Sequence, residues 1–188
     1  MSHFLIVVLV PNDTEDIEQA VEDLLAPYDE NMAVEPYVYK TREEVVTEKV
    51  EITEKVNSAD CPDYLKDYKG KIEQMSLAEF AESYFGKEVD GEGNRLSTYS
   101  QKSKWDWYVI GGRWDNEIEG NTCPVSKLPP DFSCFAIVTP DGEWHENGNM
   151  GWWGIIINEK DKAGWELEQS ILFEVYKDCL AVMVDAHI

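Results

Sequence analysis

Basic residues are scarce in this chain of 188 residues: 16 Lys and Arg stand against 38 Asp and Glu, for a formal net charge of −22. Phosphate affinity needs a basic footprint, and so acidic a surface repels a nucleic-acid backbone, which argues against direct nucleic-acid binding. Solubility, cation binding and imitation of nucleic acid all remain compatible with the charge. Long apolar runs are missing as well. The amino-terminal run at residues 4–10 is seven residues, against the roughly 20 that a membrane helix requires. Residues 1–10 carry no basic n-region and no small-residue cleavage site, so they read as a buried strand of a cytoplasmic protein with no membrane partner. Cys61, Cys123, Cys134 and Cys179 are scattered without a C-x-x-C spacing. Neither a disulfide framework nor a zinc knuckle follows, and reduced thiols are expected. The chain also lacks a P-loop, a nucleophile elbow and a zincin motif, and Gly91-x-Gly93 has no third glycine to complete a dinucleotide fingerprint.

What is present is a globular composition, 43% hydrophobic and 12% aromatic, in a length suited to one domain. Residues 4–10 are continuous and β-branched up to Pro11, as in a central strand covered on both faces. Ile17, Val21, Leu24, Leu25 and Tyr28 then recur at helical spacing until Pro27 stops the pattern. Charge pairs across 40–56 predict a solvated helix. Ser76-Leu-Ala-Glu79 is a capping box, followed by an apolar stripe of Leu77, Phe80, Ala81, Tyr84 and Phe85 and a stop at Gly86. Residues 132–146 fold back on Pro140-Asp141-Gly142 as a hairpin, a helix runs through Trp165 to Tyr176, and 180–188 is a closing strand. The expected fold is α+β: helices on one face of a mostly antiparallel sheet, with a ferredoxin-like core. Residues 1–188 are read as a single domain carrying a helical insertion at about 40–95.

The densest stretch is residues 104–114, where Lys104, Trp105, Trp107, Tyr108, Arg113 and Trp114 surround the pair Gly111-Gly112. Rings able to stack on a flat ligand, a planar fork of donors and glycines that permit close backbone approach together suggest the wall of a site. The alternative is an aromatic mini-core around a tight turn. Trp152 and Trp153, in a second glycine and tryptophan cluster, are candidates for the same wall.

The three histidines, His3, His145 and His187, all fall at strand ends. If the first and last strands are antiparallel neighbours, His3 and His187 face each other, and Asp185 shares a strand face with His187. His145 could join them. Three imidazoles and a carboxylate suffice either for a divalent metal or for acid and base work on a phosphoester, with Arg113 or Lys104 stabilising the developing charge. Structural or surface histidines are the competing reading.

With these residues in view, the chain resembles a family of small uncharacterised bacteriophage-encoded proteins. The resemblance rests on Met1-Ser-His-Phe4, Leu25-Ala-Pro-Tyr-Asp-Glu-Asn31, Lys104-Trp-Asp-Trp-Tyr108, Ile110-Gly-Gly-Arg-Trp114, Gly142-Glu-Trp-His-Glu146, Met150-Gly-Trp-Trp-Gly154 and Asp185-Ala-His-Ile188. The family terminus more often reads Asp-Cys-His-Ile, so Ala186 removes a thiol ligand there. The resemblance implies a phage accessory protein, and proteins of that kind often act against host defence in the cytoplasm of the infected cell.

Three functions are compatible with these features. One is the binding, with or without degradation, of a nucleotide-like small molecule in an aromatic, Arg and His pocket. Another is an acidic decoy that occupies the nucleic-acid groove of a basic host protein. The last is a metal-dependent phosphoester hydrolase built on the histidines.

Overall fold

A computed structural model describes residues 2–86, 89–115, 117–151 and 154–188. The chain divides into two compact units, 1–33 with 99–188, and 34–98. The first unit is organised around β1 (His3–Val10), whose alternate residues feed two different cores. Phe4, Ile6, Val8 and Val10 point to one face, where α1 (Ile17–Leu25) supplies Val21 and Leu25. Leu5, Val7 and Leu9 point to the other, against Trp165 of a helix described below. Alternation with period two in a strand that is apolar at every position creates this double core. Asp16 caps α1 by accepting the Gln19 N–H at 3.0 Å.

The second unit contains β2 (Ala33–Lys40), α2 (Arg42–Asn57), α3 (Leu77–Phe85) and β3 (Arg95–Tyr99), apart from the outermost residue of each strand. β2 and β3 form a two-stranded sheet of their own. Both helices begin with complete capping boxes, Thr41 with Glu44 and Ser76 with Glu79. Val45, Ile52, Val56, Leu65, Ile72 and Phe80 are its buried core. The segment expected as an insertion at about 40–95 is therefore a compact body with a separate core, and it carries strands as well as helices.

The first unit continues through β4 (Trp107–Ile110), β5 (Thr122–Pro124), β6 (Ala136–Val138) and β7 (Trp144–Glu146). A small hairpin of β8 (Asn149–Met150) and β9 (Ile156–Ile157), then α4 (Lys162–Val175) and β10 (Leu180–His187), complete it. The main sheet runs β4-β10-β1-β6-β7, with β5 also paired to β10. β1 and β10 pair antiparallel along their whole length, from His3 opposite His187 to Val10 opposite Leu180.

The class is α+β, and two details of the expectation need correction. A ferredoxin-like sheet splits its βαβ unit by a strand between the two partners, whereas here β1 and β6 are direct parallel neighbours. The helices also occupy both faces of the sheet, α1 on one and α4 on the other. Because β1 is apolar on both sides, each face needs its own cover. Among the described residues, no helix is long and apolar enough to cross a membrane.

Candidate functional site

At the β1 start and β10 end, three rings meet. The register sets His3 against His187, and β4 adds Trp107 opposite His187. The His3 and His187 ring centroids are 5.2 Å apart at an interplanar angle of 71°. Trp107 lies nearly parallel to His187, at 5.7 Å and 15°, and His3 presents its edge to the indole at 5.6 Å. Since residues two apart on a strand share a face, Asp185 joins this group beneath His3.

Each imidazole is held through Nδ1 by its own carboxylate. His3 Nδ1 is 2.8 Å from Asp185 Oδ1, and His187 Nδ1 is 2.6 Å from Asp106 Oδ1. The other oxygen of Asp185 accepts the Arg113 backbone N–H at 3.0 Å. Asp185 and His187 are both buried. With Nδ1 engaged, Nε2 is left as the reactive nitrogen of each ring, and His187 Nε2 is buried without any hydrogen-bond partner. Buried polar atoms almost always find partners, so an orphan of this kind calls for an explanation.

The glycine pair has a definite purpose here. Gly112 has φ +61, and a Cβ on it would come within 2.6 Å of Asp185 Oδ2. Only glycine lets the short turn at 112–114 bring its backbone against that carboxylate.

The aromatic stretch does not act as one wall. Strand alternation sends Trp107 and Val109 to the histidine face, whereas Tyr108 and Ile110 turn to the opposite core. Trp105 is buried in that core, donates its indole N–H to the Leu25 carbonyl at 3.1 Å and meets Tyr108 edge-on at 5.0 Å. Trp105 thus belongs to the core, and Tyr108, half-buried, packs against it. Trp114 packs against the second core and, with Leu5, lines a cleft of about 330 Å³. The Arg113 side chain is exposed, and among the described residues it has no ion-pair partner. Trp152 and Trp153 lie outside the described residues.

His145 and Lys104 stand apart from the histidine pair. His145 pairs with Ile137, which pairs with Val7, so it is two strands over and four residues along β1 from His3. Its ring lies 3.3 Å from Glu168 and 3.7 Å from Glu143. Burial raises the Glu168 carboxyl, but hydrogen bonds from Lys160 and His145 outweigh it and hold the group below its ordinary value. Lys104 binds Glu146 at 2.6 Å and Asn149 at 3.2 Å. Both side chains line a separate cleft of about 520 Å³ with Tyr28, Trp144 and Glu146.

Of the residues singled out from sequence, the structure therefore gathers His3, His187, Asp185 and Trp107, with the Arg113 backbone. Asp106 was missed. Its signal was its place next to a β4 residue that pairs with the last strand, which becomes readable only once the register is known. Among the described residues, no three His, Cys, Asp or Glu side chains are grouped so as to hold a metal ion. Comparison with protein-family models, curated proteins and solved structures finds no match.

Proposed function

We propose that this protein binds a nucleotide-like small molecule at the His3, His187 and Trp107 site. A phage accessory protein of this kind would act against host defence by taking up an immune signal in the infected cell. The observation that carries the reading is the unpartnered, buried Nε2 of His187 beneath an indole that is 44% exposed. A base can stack on Trp107, as single-stranded nucleic acids stack on aromatic platforms. The Arg113 guanidinium, exposed and without an ion-pair partner among the described residues, offers a forked phosphate donor in a chain whose net charge of −22 otherwise disfavours anions.

Thermal unfolding against a panel of mononucleotides, linear dinucleotides and cyclic dinucleotides tests this. One ligand class at about a hundredfold excess over its dissociation constant is expected to raise Tm by roughly 5 °C or more. Trp107→Ala and Arg113→Ala should each abolish most of that rise. A panel that leaves Tm unmoved in the unaltered protein refutes the reading.

A further inference from the structure

Two imidazoles on neighbouring strands, each locked at Nδ1 by a different carboxylate, make a pair of like groups in unlike surroundings. The His187 side chain is 5% exposed and its Nε2 has no partner. The His3 side chain is 14% exposed, and its carboxylate, Asp185, is in turn fixed by the Arg113 N–H. A neutral imidazole that donates Nδ1–H to a carboxylate keeps its lone pair on Nε2 and can take a proton there. The less enclosed His3 can draw its proton from solvent. Centroids 5.2 Å apart let both rings reach oxygens on a single phosphorus.

Resting on the nucleotide-binding reading, we infer that the site cleaves a phosphodiester whose adjoining ribose carries a free vicinal hydroxyl. His187 is the general base and His3 the general acid. His187 Nε2 removes the hydroxyl proton, and the ribose oxygen attacks phosphorus and forms a new P–O bond. The bond from phosphorus to the far nucleoside oxygen breaks with its electron pair, and that oxygen takes the proton from His3 Nε2. The products are a cyclic phosphate on the ribose and a free nucleoside hydroxyl, with no redox change and no water consumed.

Burial selects this nucleophile. His187 Nε2 is buried, and of the rings of His3 and Trp107 packed on His187, Trp107, at 44% exposure, is the more exposed. A ligand whose base stacks on the indole and shifts it off His187 excludes water and brings its own hydroxyl to the nitrogen. Asp106 and Asp185 are positioning residues that fix tautomer and orientation.

The test incubates the full chain with linear ribodinucleoside monophosphates and cyclic diribonucleotides, and with their deoxyribo counterparts. Products are identified by mass and binding by thermal shift. The expected result is a cyclic phosphate from a ribo substrate and an intact deoxyribo counterpart that still shifts Tm. His3→Ala and His187→Ala should each lose roughly a hundredfold or more in rate. A substrate with sulfur in place of the leaving oxygen needs no proton at departure, so it should restore His3→Ala and leave His187→Ala inactive. Ribo ligands that bind but stay whole overturn the cleavage and leave the binding reading standing. No binding by any ligand overturns both. Equal cleavage of ribo and deoxyribo substrates overturns the hydroxyl nucleophile. Failure of the sulfur substrate to restore His3→Ala overturns its role as acid.

Discussion

Gly112 shows how one missing side chain sets the chemistry several ångströms away. Its φ of +61 is costly for any L residue, and a Cβ would meet Asp185 Cβ and Oδ2 at 2.6 Å and Val109 Cγ1 at 2.8 Å. Gly112→Ala is expected to lose about 2 kcal/mol or more of stability, combining the left-handed strain with a clash that cannot relax inside a paired sheet. Gly120 has a similar φ of +71 but open space around it. Gly120→Ala should therefore lose only about 1 kcal/mol, the strain alone. Urea denaturation of the two variants checks the difference, and equal losses would show that Asp185 does not confine the 112–114 turn. The same substitution should displace the Arg113 N–H from Asp185 and so weaken ligand binding.

Among the helices, α2 and α3 carry a measurable signature in their caps. The Ser76 backbone N–H, then its side chain, holds the Glu79 carboxyl below its ordinary value of 4.5, and Thr41 does the same for Glu44. A carboxyl depressed in the folded state contributes stability that is present above its unfolded value and disappears as pH falls through the folded one. Lowering pH also relieves the repulsion of an acidic chain, which acts in the opposite direction. The caps are isolated by comparison: Glu44→Gln with Glu79→Gln should be less stable than the parent at neutral pH, and the gap should close well below pH 4.5. Thermal midpoints at both pH values measure it, and a gap independent of pH contradicts the assignment. The α3 start was plain in the sequence because its capping box is local, with both partners three residues apart, whereas α2 was expected from its charge pairs and its Thr41–Glu44 box emerged with the structure. The buried stripe Val45, Ile52 and Val56 was harder to see, since its spacing makes sense only once Leu65, Ile72 and Phe80 pack against it.

Across the full chain, the governing quantity is the net charge of −22. Like charges held within a Debye length of about 8–10 Å destabilise the folded state, and added salt screens them. Raising sodium chloride from low to near-molar concentration is expected to increase Tm by several degrees, whereas a structure held mainly by exposed ion pairs would lose stability. Differential scanning calorimetry across the salt series distinguishes the two.

The amino-acid sequence by itself determined the α+β class, the capped helices and the two apolar strands that begin and end the chain, because these depend on periodicities and turn chemistry acting over a few residues. It also placed His3 opposite His187 on the condition that the first and last strands pair antiparallel, and that pairing is present. Only the tertiary structure decided that Trp105 is buried in the core with Tyr108 packed against it, that Asp106 orients His187, and that His145 and Lys104 belong to a different cleft. The physical reason is strand pairing. A side chain's face follows from the parity of its position, but its neighbours follow from a register set by β1, β4, β6, β7 and β10 together, which no single segment encodes.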